Sequence, residues 1–521
     1  MKVRLIISVF FLCAAATPAD PMFTSWFTAN SGKYARIYTS TANRTAGVTS
    51  NTWSSTMATG QTSPTYAGVH EIDYSTNWVY IRNTGLSSFV MGPWNNPNLP
   101  SNQGTSTNVY RFPRGVAGVT NNTGSTTSGR LTGMGAIGYL VDGVSIYNTS
   151  DGYSYSNAAA QDATPITTFT GPGKSGQGIW NRDAWTNEYG SFDYGFNHPQ
   201  PSGQYHSHAN PIATRYLLGD NINYNSTTKV YSENTSNTNL KHSPIIGWMN
   251  DGLPLYGPYG YSNPTNPASG VRRMISGYVL RDGGYGTANL NLVGRTNLPT
   301  WAQLAQSRTT LTPNQYGPST TYTSGSGMNA LTYGLGHYAE DYDYLGDLGF
   351  TQGVTNTVGG TNVFFDLNEY NSRNCVTPDY PNGTWAYFAS IKSDGTPWYP
   401  YNVGRWYFGN PTGGNATTNV MQQDTPLTLY FKGATNLSAV LSAPTVNAGN
   451  VTLVWSAVEG GTYQVNVTTN LLSKWATNLA LTLTATNNSA SAMETGVATT
   501  NSIRFYRVNR TGVATFDSTG Y

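Results

Sequence analysis

Beyond about residue 435 this chain alternates apolar and polar positions in short runs closed by Gly, Asn and Ser, and nowhere does it carry a long stripe of helical period. A period of two sends successive side chains to opposite faces of a strand, so the pattern predicts β structure. Val451-Thr-Leu-Val-Trp455, Thr462-Tyr-Gln-Val-Asn-Val467, Leu479 to Thr484 and Ile503 to Val508 read as strands of a separate small β-sandwich over 436–521. Trp455 and Trp475 are expected in its core. Helix is expected only in short pieces, near Pro299 to Gln306 and in the tyrosine-rich segment after His337.

Upstream, one hexapeptide shape occurs three times: Asp142-Gly-Val-Ser-Ile-Tyr147, Asp251-Gly-Leu-Pro-Leu-Tyr256 and Asp394-Gly-Thr-Pro-Trp-Tyr399. The first two follow the matching runs Ile137-Gly-Tyr-Leu-Val and Ile246-Gly-Trp-Met-Asn, so each predicts strand, Asp-Gly turn and strand. Pro254 and Pro397 predict that the second strand of their copies lies at an edge or a bulge. A second similarity interleaves with the first. Phe192-Asp193, Asn197 and Pro201-Ser-Gly-Gln-Tyr-His-Ser-His208 are echoed by Phe365-Asp366, Asn371 and Pro381-Asn-Gly-Thr-Trp-Ala-Tyr-Phe388. The fold expected for 20–435 is therefore an internally duplicated β-rich domain whose copies pack about a pseudo-twofold axis.

Composition agrees with a mainly β chain. Only 10% of the residues are charged, while Gly numbers 57 and Tyr 37 of 521, the residue types of turns and of half-buried strands. With 27 Lys+Arg against 25 Asp+Glu there is no basic footprint for nucleic acid or an anionic membrane surface. Lys2 and Arg4, the apolar run Leu5 to Leu12 and the small residues Ala14 to Ala16 have the build of a signal peptide over 1–19, cleaved after Ala16 or Ala19. The mature protein is expected to be secreted, periplasmic or on a bacterial cell surface, with no transmembrane segment after signal removal. Leu12 before Cys13 argues against a lipoprotein anchor, and loss of the signal leaves Cys375 without a partner for a disulfide.

The chain has six histidines, and three of them fall within Asn197-His-Pro-Gln-Pro-Ser-Gly-Gln-Tyr-His-Ser-His208. On a strand, His206 and His208 leave the same face, and the turn chemistry of Pro199, Pro201 and Gly203 can bring His198 back beside them. Neutral imidazoles in this arrangement suit Zn or Cu and leave a coordination position open. Asp193 or Glu369 could add a carboxylate ligand or fix an imidazole tautomer. The alternative is that the histidines are ordinary polar groups of a half-exposed strand.

These residues resemble the YHYH-domain proteins, named for a Tyr-His-Tyr-His strand. The likeness rests on Phe-Asp-x-x-x-Asn-His-Pro, Tyr205-His206-Ser207-His208, Pro244 to Gly260, and Asp366 to Phe388, with Val79-Tyr-Ile-Arg, Met91-Gly-Pro-Trp94 and Glu340-Asp-Tyr-Asp-Tyr344 around them. It spans about residues 60 to 410. Ser207 stands where the family has tyrosine; on a strand it points away from the two histidines. The resemblance implies an exported domain with a histidine-centred site and supplies no reaction. The stretch after 435 is similar to fibronectin-type or immunoglobulin-like modules of secreted bacterial proteins.

Glu340, Asp341, Asp343 and Asp347 offer a rival, oxygen-rich site for Ca²⁺, against which stands a solvated acidic turn. No nucleophile elbow, zincin helix, phosphate loop or dinucleotide fingerprint occurs, and Cys375 reads as packing rather than as a nucleophile. Two functions stay open. One is an exported metal-binding protein, with or without catalysis, acting on an unknown small molecule. The other is a non-catalytic surface or matrix protein that binds glycans or other proteins.

Overall fold

Eight short strands form the sheet that carries the histidines: β1 (Ala136–Leu140), β2 (Ser145–Tyr147), β3 (Asn197–Pro199), β4 (Tyr205–Ser207), β5 (Ile245–Met249), β6 (Pro254–Tyr256), β7 (Ser372–Cys375) and β8 (Thr384–Phe388). In the computed structural model their order is β7-β8-β6-β5-β1-β2-β4-β3. The residues described are 20–54, 60–95, 98–101, 109–117, 130–163, 176–325, 331–358, 360–416, 426–432, 441–457, 462–470, 482–485, 489–497 and 503–512. The signal-peptide reading of 1–19 and the core placement of Trp475 fall outside them.

The order reads the same from either end. β1 and β5 pair antiparallel at the centre, each then pairs with its hairpin partner, β2 or β6, and each partner takes a parallel strand, β4 or β8, that closes a second hairpin with β3 or β7. The registers agree as well: Ser207 lies opposite Ile146 in β2, and Tyr387 lies opposite Leu255 in β6. The Asp-Gly turns set both central hairpins. Asp142 and Asp251 each accept the amide two residues on, and Gly143 and Gly252 take φ of 89° and 81°.

β6 is an interior strand, and of the two placements expected for Pro254 the bulge is the one seen: pairing with β5 shifts register between Ile245 and Gly247, and parallel pairing to β8 begins only at Leu255. Two other sequence expectations are corrected. The third Asp-Gly turn lies outside the eight-stranded sheet, held by a single bridge between Ile391 and Pro397. The loop equivalent to Asp193 is Asn368, not Asp366. Asp193 Oδ1 accepts the amides of Gly195 and Asn197, and Asn368 Oδ1 accepts those of Tyr370 and Ser372.

A five-stranded antiparallel sheet includes Val69–Tyr74, Trp78–Asn83 and Val109–Pro113, and contributes Val79, Ile81 and Phe112 to a shared core with Tyr139, Trp248, Tyr256 and Phe388. The other face of the eight-stranded sheet packs Ile146, Tyr205, Leu255 and Tyr387 into a second core. Removing each such large apolar side chain from water contributes about 1.5–3 kcal/mol. The helix expected near Pro299 spans Thr300–Ala305; the segment after His337 forms two short pieces of 3-10 helix, Ala339–Asp341 and Leu345–Leu348. Among the described residues no helix is long and apolar enough to cross a membrane.

Past residue 435, Thr445–Asn447, Asn450–Ser456 and Ser489–Glu494 form one antiparallel sheet, and Thr482–Thr484, Thr462–Thr468 and Phe505–Gly512 form another. Leu453 and Trp455 of the first share a core with Tyr463 and Val465 of the second.

Candidate metal centre

The β3–β4 hairpin folds His198 back opposite His206. The return is tight: Gly203 has φ of 84°, and a Cβ there would stand 2.2 Å from Ser101 Oγ. His206 and His208, two residues apart, leave the same face, and all three imidazoles are buried, with 2–4% of each residue exposed. His206 Nε2 lies 3.0 Å from His198 Nε2 and 3.1 Å from His208 Nε2. Among the described residues these three form the one His/Cys/Asp/Glu cluster able to hold a metal ion.

The tautomers follow from what each Nδ1 meets. His206 Nδ1 is 3.1 Å from the Gln204 carbonyl oxygen and His208 Nδ1 is 2.7 Å from that of Asn148. A carbonyl only accepts, so both Nδ1 atoms carry hydrogen. His198 Nδ1 is 2.7 Å from Ser191 Oγ, which already donates its hydrogen to the Glu188 carbonyl at 2.7 Å, so this Nδ1 also donates. Burial, with mutual repulsion, holds His198 and His206 well below the usual imidazole range, and burial lowers His208 to about 4. The rings are thus neutral, with three Nε2 lone pairs aimed at one another and no proton between them. A cation is what such a set accommodates, and the Nδ1 partners are those that orient histidine ligands.

Two rings wall the cluster. Tyr147 stacks on His206 with centroids 4.0 Å apart, and Phe192 packs edge-on to His198 at 4.4 Å. Glu188, the last residue of the helix Ala184–Glu188, brings its Oε2 to 3.5 Å from His198 Nε2 and 3.4 Å from His208 Nε2. Burial, together with the nearby Asp151, raises its carboxyl to about 8. Sequence reasoning missed this residue.

The other expected ligands are not brought to the cluster. Asp193 is on the Tyr205 side of the strand: Oδ2 accepts the Gly92 amide at 2.8 Å and the Tyr205 hydroxyl at 2.5 Å, and Oδ1 accepts two more amides. Its carboxylate is saturated by the loop it builds. Glu369 interacts with Tyr370 and repels Asp347, away from the histidines. The acidic run does not converge for Ca²⁺ either. Asp341 is held by two hydrogen bonds of 2.7 Å from Arg295, Glu340 accepts from Asn181, and Asp343 faces Arg281 at 3.5 Å. Cys375 is buried in the core, where desolvation pushes its thiol up and away from nucleophile chemistry.

A profile of the YHYH protein family matches residues 117–402, more than half of the chain. The chain belongs to the YHYH protein family. Comparison with curated proteins and with solved structures gives no match. In this YHYH protein the family strand contributes two of the three converging imidazoles, and Ser207, in the second tyrosine position, is buried on the opposite face with its hydroxyl donating to the Ala209 carbonyl. The Met91 to Trp94 segment supports the turn before β3: Trp94 Nε1 donates to the Asn197 carbonyl at 3.2 Å.

Proposed function

We propose that this YHYH protein is an exported metal-binding protein that holds one divalent transition metal, Zn or Cu, through Nε2 of His198, His206 and His208. The observation that carries this reading is the convergence of three Nε2 lone pairs at 3.0 and 3.1 Å with every Nδ1 committed as a donor elsewhere. Three imidazoles leave a coordination position for a water or a small molecule, the arrangement of metal centres that polarise or exchange a ligand. Burial supports an imidazole-selective site, because Mg²⁺ and Ca²⁺ prefer oxygen.

The glycan- or protein-binding alternative finds less support. The exposed tyrosines Tyr153, Tyr189, Tyr285 and Tyr430 lie on separate elements, and no two of them stack. We further read the two half-sheets as descendants of one duplicated unit and 436–521 as a separate fibronectin- or immunoglobulin-like spacer, the first supported by the palindromic strand order and the second by the separate core around Trp455. Elemental analysis of protein purified without a His-tag tests the metal reading: about one equivalent of Zn or Cu is expected, and protein that neither carries nor takes up a transition metal would overturn it.

A further inference from the structure

We infer that Glu188 is the exchangeable fourth ligand of the histidine centre, bound to the metal at rest and displaced when a small anion enters the coordination sphere. This rests on the metal reading above. The separations fit a shared ion: ligand atoms about 2.1 Å from one metal stand about 3.0–3.4 Å from their neighbours across 90° to tetrahedral angles. The Nε2 contacts of 3.0 and 3.1 Å and the Oε2 contacts of 3.4 and 3.5 Å match that range to about 0.1 Å, while Glu188 Oε2 stands more than 4.0 Å from His206 Nε2, on the opposite side of the set.

Glu188 differs from the histidines in how it is held. Each imidazole is anchored by its Nδ1–H, whereas the Glu188 carboxylate makes no hydrogen bond among the described residues; the two Nε2 atoms lie within 3.5 Å of it, and Asp151, Arg182 and Asp183 act on it only electrostatically. Its backbone is fixed instead. Ser191 ties the Glu188 carbonyl to the ring of His198, accepting from the imidazole and donating to the carbonyl. A side chain pivots there on a stationary Cα. Its exposure agrees with that role, at 26% of the side chain against 5% for His198 and 2% for His208. Tyr147 covers His206 and Phe192 abuts His198, while Glu188 is followed directly by the exposed Tyr189 and Gly190.

The step exchanges one bond for another. The metal–oxygen bond to Glu188 breaks, a bond from the metal to the incoming anion forms, and the oxidation state does not change. The freed carboxylate stays beside the metal, placed to accept a proton from a bound water.

The test loads wild type, Glu188→Gln, Glu188→Ala and His206→Ala with Co²⁺, measures affinity by chelator competition, and follows the visible spectrum during azide titration. Circular dichroism checks the fold of each variant. Wild type should bind one equivalent, and Glu188→Gln should bind about 10- to 100-fold more weakly with an altered Co²⁺ spectrum. Glu188→Ala should take up azide at concentrations at least tenfold below those needed by wild type, because no internal ligand competes. If wild type binds Co²⁺ and both Glu188 variants match it in affinity, spectrum and azide response, Glu188 is a bystander and the inference is wrong. If wild type binds no metal while folded, the metal reading falls and takes this inference with it.

Discussion

The two ends of the eight-stranded sheet share a backbone and differ in what they bury. Where β3 and β4 place His198, His206 and His208, the same registers of β7 and β8 place Arg373, Ala386 and Phe388. The covering ring is shifted by two residues between the ends: Tyr147 stacks on His206 at an interplanar angle of 24° and meets His208 edge-on, whereas its counterpart Tyr256 lies over Phe388, the register equivalent of His208, at 23°. At the aromatic end the polar group is compensated. The Arg373 guanidinium packs over Phe388, donates to the Tyr261 carbonyl at 2.7 Å and faces Asp366 at 3.5 Å. At the histidine end, among the described residues, only the Glu188 carboxyl approaches the three facing lone pairs, at 3.4 and 3.5 Å from two of them, and no hydrogen bond to it is formed. Evenly buried polar groups usually find partners, so the end that lacks them is the one that points to a ligand.

The strongest way to break the comparison is at its centre. His206 makes both short Nε2 contacts, so His206→Ala should weaken Zn²⁺ or Cu²⁺ binding at least 100-fold by calorimetry and abolish the rise in Tm that saturating metal gives wild type, a rise set by mass action. Arg373→Ala, at the matching position, should leave metal affinity within twofold. It should cost about 2–4 kcal/mol in urea unfolding, because Asp366 and the Tyr261 carbonyl lose a buried partner. Equal loss of metal in the two variants would mean that the centre responds to general destabilisation.

The pH dependence of the metal-free protein should set the ends apart by sign. His208 is lowered to about 4 when folded, against about 6.5 unfolded, so its contribution is complete above pH 6.5 and lost as pH falls toward 4. By linkage this single group is worth about 3 kcal/mol across that window. Glu188 is raised to about 8, so its contribution is present below about 4.5 and lost as pH rises through 8. Metal-free protein should therefore be most stable between these limits. Saturating metal should extend the plateau in both directions, since it favours neutral imidazole and ionised carboxylate together. Tm measured across pH 4 to 9 with and without Zn²⁺ reads this directly, and identical profiles would count against the centre.

The histidine spacing was legible because a strand has a period of two, and the Pro/Gly-rich return was legible because those residues make turns. Glu188 was not legible. It arrives on a separate five-residue helix, and nothing local in Ala184–Glu188 marks its last residue as a ligand. The tautomers were hidden too, since two of three Nδ1 partners are backbone carbonyls, which every sequence supplies. Asp193 was misplaced because an Asp before a tight turn serves its own loop as readily as a metal, and here four donors already occupy it. The acidic run misled for a similar reason: Arg295, Arg281 and Asn181 reach it from distant positions and draw its carboxylates apart. The mainly β class was readable throughout, whereas the palindromic strand order needed the long-range pairing of β1 with β5.

The smallest expected effect sharpens the comparison at Ser207. Its counterpart by register is Tyr387, whose hydroxyl donates to Asp251 Oδ2 at 2.6 Å, at the Asp-Gly turn of its own half. The matching carboxylate oxygen, Asp142 Oδ2, is already taken by Ser87 at 2.6 Å and Thr214 at 3.2 Å. A tyrosine at 207 would meet those groups in a site where Ser207 is fully buried, so Ser207→Tyr should be overpacked and cost about 1–3 kcal/mol in urea unfolding. It points away from the imidazoles, so metal stoichiometry and affinity should stay within twofold of wild type. Adding Ser87→Ala should relieve part of the cost by freeing Asp142 for the new hydroxyl. A loss of metal in Ser207→Tyr would show that the two faces of β4 are coupled, and the independence of centre and core across that strand would have to be given up.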